Sequence, residues 1–252
     1  MKFKSIAEAK RETGLSYLGS VASSSKIAKG YKNYNEATYI LYLSPAKTSG
    51  YNVCPMSTEE CRRACLAESG HNRIDVKENK INKARIKKTK LFFEEREFFM
   101  AWLVAEIESA KKTAEKKKMK FSVRLNGTSD IDPTLFRHEE KTLFEIFPDT
   151  TYYDYTKVSK RFDLLNTYDN YDLTFSYSGH NAVECFNILN DKGRVAMVFD
   201  CDTLPETYMG FKVIDGDKYD MRYRDRKDVI VGLKYKITRN KPGKESKFIV
   251  EA

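Results

Sequence analysis

Residues 121–130 read FSVRLNGTSD, and the architecture of the chain follows from this stretch. Its first five residues predict a β-strand over 121–125, and Asn126 to Asp130 predict a polar loop. Pro133 suits the first turn of a helix, which we place at 133–147. A strand, a polar loop and a helix form one βα unit, the element from which parallel sheets are built.

The same succession recurs along the chain. Further strands are predicted at 37–43, 151–154, 172–176, 194–199, 211–214 and 229–234. Further helices are predicted at 158–165 and 181–190, and two more within 76–118. Strands alternating with helices indicate an α/β fold with parallel βα units. Six or seven such strands suggest a TIM-barrel-like arrangement, complete or partial; the alternative is an open doubly wound sheet.

The bulk composition bounds the organisation of the chain. Its 252 residues suit one large domain, which we place at 37–252, preceded by a polar arm or short helices at 1–36. No stretch approaches the about 20 apolar residues of a membrane helix, and Met1 to Lys10 contain no apolar signal-peptide core. We therefore expect a cytoplasmic protein that does not contact membranes. The formal net charge of +9 suggests a polyanionic partner, either nucleic acid or a phosphorylated small molecule.

Three of the five cysteines lie within a loop predicted at 44–71. Cys54, Cys61 and Cys65 have the spacing C-x6-C-x3-C. In a chain without a secretion signal, clustered thiols indicate metal ligands sooner than disulfides. Three thiolates can hold a 4Fe-4S iron–sulfur cluster and leave one iron open to a substrate. We therefore predict an iron–sulfur site in this loop.

Two other interpretations of the cysteines remain open. Structural zinc takes four ligands and short spacings, and the interval from Cys54 to Cys61 is long for it. A fourth ligand could come from His71 or from Cys201, which lies between two aspartates at a strand end. Buried thiols without a metal are the third interpretation, but the polar flanks of the cysteines favour a loop.

Polar residues cluster where the predicted strands end, and barrel enzymes place their chemistry at those ends. About half of such residues serve only as helix caps. We expect the catalytic candidates to share one cavity beside the cysteine loop: Arg124, Asn126, Asp130, Asp154 and Lys157. The candidates for cofactor binding are Ser176, His180, Asp215 and Asp217.

A basic segment follows the cysteine loop. Residues 77–90 contain seven lysines and arginines. The ordinary interpretation is a solvated helix face. A basic helix beside a metal loop is also a plausible phosphate-binding surface, through residues such as Arg85, Lys87 and Lys88.

Several blocks of sequence, in order along residues 37 to 236, resemble the bacteriophage "gene product 88" family. The blocks are Cys54-x6-Cys61-x3-Cys65-Leu66, Ala84-Arg85-x3-Thr89, VRLNGTSD at 123–130, YDYTK at 153–157, Asn170-Tyr171-x-Leu173-Thr174-Phe175-Ser176, Ile214-Asp215-Gly216-Asp217-x2-Asp220-x-Arg222 and Ile230-Val231-Gly232-Leu233-x2-Lys236. The resemblance implies a phage origin, and hence the host cytoplasm, for a family whose function is unknown.

A weaker similarity is to radical S-adenosylmethionine (SAM) enzymes, which join a three-cysteine cluster to a partial barrel. Their spacing is C-x3-C-x2-C, and this chain also lacks a Gly-Gly-Glu-type SAM contact, so the use of SAM is in doubt. The residues favour an iron–sulfur enzyme acting on a nucleotide or nucleic acid. The alternative is a non-enzymatic module in which a metal shapes the loop and the chain binds nucleic acid or a host protein.

Overall fold

A computed structural model of the protein describes residues 1–21, 25–65, 80–235 and 246–251. Its strands are β1 (Gly19–Ser20), β2 (Glu36–Leu41), β3 (Lys120–Arg124), β4 (Arg137–His138), β5 (Lys141–Thr142), β6 (Thr151–Thr156), β7 (Tyr171–Ser176), β8 (Arg194–Asp200), β9 (Thr207–Tyr208), β10 (Phe211–Asp215), β11 (Val229–Lys234) and β12 (Ile249–Glu251). Its α-helices are α1 (Ile6–Thr13), α2 (Ser25–Tyr34), α3 (Glu59–Arg63), α4 (Lys80–Glu94), α5 (Arg96–Lys116), α6 (Leu143–Ile146) and α7 (Ala182–Asn190).

A large, mostly parallel sheet organises these elements. Its strand order is β1-β2-β3-β6-β7-β8-β11-β10-β9, and β12 pairs with the carboxyl half of β8. Neighbours from β2 to β10 are parallel, whereas β1 and β9 are antiparallel edge strands. The α/β class is therefore confirmed. The described strands do not close on themselves, so a complete TIM barrel is not confirmed.

One face of the sheet packs against helices and forms the apolar core. Tyr39, Val123 and Tyr152 contact this core, where Trp102 and Leu103 of α5 are also buried. Further along the sheet a second apolar cluster continues on the same face against α7. We call this side the helical face. It follows from strand geometry, because every second side chain of each strand points to the same side.

The opposite face, here called the polar face, is covered by the connection between β10 and β11, residues 216–228. Asp220 of this connection reaches Arg124 of β3, and Arg224 reaches Glu36 of β2 at 2.9 Å. The ring of Tyr219 lies 5.1 Å from that of Tyr34 at the end of α2. An irregular segment rich in charge therefore covers this face.

The predicted helix at 133–147 is wrong for most of its length. Pro133 begins a single 3-10 turn, as its fixed φ favours, but a two-stranded hairpin of β4 and β5 follows before the short helix α6. Glu139 and Glu140 have φ angles of 48° and 65°. Two successive left-handed residues make the tight hairpin turn whose twist matches that of the strands, and a helix cannot pass through them.

The other predicted elements differ from the structure mainly at their ends. The helix expected at 158–165 is a 3-10 helix, Ser159–Asn166. The expected arm contains α1, β1 and α2, so short helices are present there. In the parts of the chain that the structure describes, no helix has the length and apolar character needed to cross a bilayer.

Candidate metal centre

The cysteine loop lies across the carboxyl end of the sheet. The amide of Asp130, after β3, donates to Val53 O at 2.7 Å. Thr58 Oγ1 donates to Ser178 O, after β7, at 3.0 Å. The loop is thus held to two strand ends, because parallel strands place those ends along one edge.

The three thiols lie in one electrostatic neighbourhood. Cys54 is mostly buried, and its Sγ accepts from the amide of Ala46 at 3.4 Å. Burial, opposed by the Ala46 amide and assisted by the negative charges of Asp130, Cys65 and Cys61, raises the pKa of the Cys54 thiol to about 12. Cys61 and Cys65 therefore lie within electrostatic reach of Cys54.

Helix α3 sets the relation between two of the thiols. Thr58 caps the helix and accepts from the amide of Cys61 at 3.1 Å. Cys65 follows Cys61 by four residues, just beyond the C-cap at Ala64. The amide of Cys65 donates to Arg62 O at 3.3 Å, so a tight turn at the end of α3 keeps the backbone of Cys65 close to the helix.

These donors fit an iron–sulfur cluster by their chemistry, since such clusters are held by cysteine thiolates. Within the described ranges, no three side chains from His, Cys, Asp or Glu already stand close enough together to hold a metal ion. His71, one candidate for a fourth ligand, lies outside the described residues. The other candidate, Cys201, packs beside the apolar cluster on α7.

Lys157, at the end of β6, faces the same thiols. Its amide donates to Asp130 Oδ2 at 2.9 Å, and its ammonium lies within electrostatic reach of Cys61. Burial lowers the pKa of Lys157, but the charges of Cys61, Asp130 and Cys54 outweigh burial, so the pKa is raised. A cation thus stands where thiolates would carry negative charge.

Two carboxylates, Asp130 and Asp154, hold the strand ends next to the cysteine loop through separate partners. Asp130 pairs with Arg161, which is buried. Asp154 accepts from the amide of Asn126 at 2.8 Å and from its Nδ2 at 3.3 Å. Burial raises the pKa of Asp154 to about 7, against the effects of Arg124 and the Asn126 donors.

Of the five catalytic candidates, Asp130 and Lys157 adjoin the cysteine loop, while Asn126 and Asp154 hydrogen-bond to each other at the neighbouring strand ends. Arg124 does not join them, and the expectation of one shared cavity is wrong for this residue. Arg124 follows Val123, which lies on the helical face opposite Tyr152, so it points to the polar face, where it pairs with Asp220 at 3.1 Å. Asp154 follows Tyr153 in β6 and points the other way.

The cofactor-binding candidates separate into two groups. His180 lies near the cysteine loop, and its Nε2 is 2.9 Å from Glu60 Oε2. Ser176, at the end of β7, accepts through its carbonyl from Asn181. Asp215 ends β10 and Asp217 follows it, and β8 and β11 separate this strand from β7. Their carboxylates accept from nearby backbone amides at 2.8 and 3.1 Å and so hold the turn after β10.

An open depression of about 420 Å³ borders the site. It is lined by Thr58, Glu59, Glu60, Arg63 and His180. Cys61 follows Glu60 directly in α3, so the depression adjoins one of the candidate ligands. A molecule bound there would meet both charge signs next to the cysteine loop.

Sequence reasoning missed Arg161, which holds the loop of Asp130 in place. Its guanidinium donates to the carboxylate and the carbonyl of Asp130 and to Thr156 Oγ1. The available signal was its position four residues after Lys157, behind a strand end. An arginine in such a segment is ordinarily solvated, so the signal was weak.

A comparison with protein-family models finds a match for residues 18–252 with the family described as Gene product 88. No curated protein and no solved structure matches the chain.

Proposed function

The chain belongs to the gene product 88 family, which fits a phage origin, and we propose that it is an iron–sulfur protein with a cluster on Cys54, Cys61 and Cys65. The observation that supports this most is that the three cysteines share one loop, which is hydrogen-bonded to the carboxyl edge of the sheet. Ligand-binding loops of parallel α/β sheets lie at that edge.

The donor set favours iron–sulfur over zinc. Three thiolates complete the protein ligands of a cubane cluster with one open iron, whereas structural zinc is closed by four ligands. When bound, such a cluster supplies one-electron chemistry at a site open to substrate.

The surrounding residues would stabilise the loop and its charge. The Lys157 ammonium faces Cys61 and would offset the negative charge of the thiolates. Asp130 fixes the backbone of Lys157, and Arg161 fixes Asp130. These residues would therefore position the loop and balance the charge of the thiolates, and no proton transfer is required of them.

We propose enzymatic use of this centre on a nucleotide or nucleic acid. The depression beside Cys61 offers Arg63 and His180 as contacts for a polar substrate. The alternative is a non-enzymatic module, in which the metal only shapes the loop and the chain binds nucleic acid or a host protein. The two differ in one property, because only the enzyme needs an iron that exogenous ligands can reach.

An anaerobic absorption spectrum with iron and sulfide analysis tests the metal assignment. We expect a brown protein with broad absorbance near about 400 nm, as for thiolate-bound clusters. Replacing Cys54, Cys61 or Cys65 by Ala should abolish the colour, while C185A should retain it, because Cys185 is on the buried side of α7, in the apolar core. A colourless protein with stoichiometric zinc would overturn the iron–sulfur proposal.

A further inference from the structure

Helix α4 carries a one-sided row of exposed lysines. Lys83, Lys87 and Lys90, here called the lysine stripe, are all exposed. Their spacings of four and three residues place them on one side of the helix, over about 10 Å of its axis. None of the three forms an ion pair with a carboxylate in the described parts of the chain.

The rest of α4 is anchored to the protein. Lys88, Thr89, Leu91 and Phe92 are buried. Thr89 Oγ1 accepts from the amide of Ser44, at the start of the cysteine loop, at 2.8 Å. The helix therefore presents its lysines outward while its other side holds the loop of the candidate metal centre.

The basic residues exposed on α4 differ from those expected from the sequence. Lys88 is buried and donates to Leu18 O at 2.7 Å. Arg85 is half-buried, with its guanidinium 5.2 Å from the centre of the Tyr42 ring. Of the three residues that the sequence singled out for phosphate contacts, only Lys87 belongs to the exposed stripe.

An exposed aromatic ring lies beside the stripe. Tyr17 is 50% exposed, and Lys88 Nζ lies 4.5 Å from the centre of its ring. Lys87 Nζ lies 4.0 Å from the point where a Cβ would stand on Gly14, three residues before Tyr17. One aromatic surface and a row of cations thus adjoin each other.

We propose that the lysine stripe and Tyr17 together bind single-stranded nucleic acid, with phosphates on the lysines and a base on the tyrosine ring. The inference rests on the proposed function for its class of partner and names the surface that would receive it. Aromatic stacking beside a cationic row is how proteins hold single strands without reading sequence. In a duplex the bases are stacked on one another and cannot reach an exposed ring.

Fluorescence anisotropy of a labelled single-stranded oligonucleotide, titrated with the full chain at several salt concentrations, tests the stripe. We expect the variant K83E/K87E/K90E to bind about tenfold or more weakly at low salt. The slope of log affinity against log salt should fall in magnitude by about 2, because each lost phosphate contact removes about 0.7 for a single strand.

The matched control is K112E/K116E/K117E, which changes the net charge equally at exposed lysines of α5 and the residue after it. It should leave the salt slope unchanged. Equal weakening by both triple variants would show that overall charge, not the stripe, attracts the oligonucleotide, and would overturn the inference.

Tyr17→Ala tests the aromatic contact. We expect about tenfold weaker binding to the single strand and little change for a duplex of the same sequence. Tyr31→Ala, at another exposed tyrosine, serves as control. Tighter binding of the wild type to the duplex, or binding to anionic phospholipid vesicles without binding to the oligonucleotide, would contradict the proposal.

The iron–sulfur proposal and the nucleic-acid proposal can be tested independently of each other. C54A should lose the absorbance of the cluster and still bind the oligonucleotide. The stripe variant should keep the absorbance and the thermal stability of the wild type while losing affinity. Loss of fold in the stripe variant would appear in its far-ultraviolet circular dichroism, and the single variants K83E and K90E would then be measured instead.

Discussion

Asp154 is a buried acid whose environment opposes its charge. Burial raises its pKa from 3.8 to about 7, although Arg124 and the two Asn126 donors favour the ionised form. The folded protein therefore retains a proton that the unfolded chain releases near its ordinary pKa. Such a group favours folding fully below pH 3.8, and its contribution is lost as the pH rises through 7.

Replacing Asp154 by Asn should remove this pH dependence. Between pH 5 and pH 7 the unfolding free energy of the wild type should fall, relative to that of D154N, by roughly 2 kcal/mol, since one pKa unit corresponds to about 1.4 kcal/mol. Urea unfolding at both pH values measures the difference. The exposed Asp163 provides a control, D163N, which should show no such trend; a constant gap between wild type and D154N would contradict the raised pKa.

At the scale of elements, a single carboxylate on α5 holds the N-terminal segment to the sheet. Glu106 accepts from the amides of Leu18 and Gly19 at 3.0 and 3.1 Å and from Tyr39 Oη at 2.7 Å. Leu18 is fully buried beside it. These contacts let β1 pair with β2 although β1 has only two residues.

The close approach of β1 to Tyr39 requires glycine at position 19. A Cβ there would lie 2.4 Å from the Tyr39 ring, which is fixed in the core. We expect Gly19→Ala to destabilise the protein by about 1–3 kcal/mol through overpacking, measured by urea unfolding. Gly50→Ala is the comparison for backbone strain without crowding, because no atom lies within 4 Å of a Cβ at Gly50 but its φ of 94° is left-handed. Equal stability of G19A and wild type would show that the segment shifts freely.

At the scale of the whole molecule, buried ion pairs join the polar face to the connection that covers it, in addition to apolar residues such as Met221. Asp220 lies between the Arg124 guanidinium, at 3.1 Å, and the Tyr153 hydroxyl, which donates to it at 2.8 Å. Arg194 of β8 pairs with Asp172 of β7 on the same face. Burial lowers the pKa of Arg124, but Asp220 reverses this effect, so the pKa is raised.

Removing one partner of the Arg124–Asp220 ion pair should destabilise the protein more than removing both partners. D220A leaves the Arg124 charge buried without its partner, for an expected loss of roughly 3–5 kcal/mol. The double variant R124M/D220A should recover part of this loss, because it removes the unpaired charge as well. Chemical unfolding of the wild type, both single variants and the double variant gives the coupling. Additive losses would show that the pair does not hold the connection over the polar face.

Regular patterns in the sequence were sufficient for most of the fold. The largely apolar runs at 37–43 and 194–199 predicted β2 and β8, since buried parallel strands read as near-continuous apolar runs, and the alternation of Leu173 and Phe175 with polar residues predicted β7. The helix expected at 133–147 was wrong, because positive φ angles at Glu139 and Glu140 leave no mark in the hydrophobic pattern. The sequence pattern also could not predict whether the sheet closes into a barrel, because closure depends on whether the two edge strands pair with each other.

The candidate site divides in the same way. By itself the sequence determined the parallel α/β class, the polar strand ends and the clustered thiols of Cys54, Cys61 and Cys65, all of which follow from local residue type and spacing. Only the tertiary structure decided that Lys157 faces Cys61, that Arg161 holds Asp130, and that Arg124 leaves the site for Asp220. The physical reason is that a side chain's partner depends on strand register and on which segment covers each face, and distant parts of the chain set both.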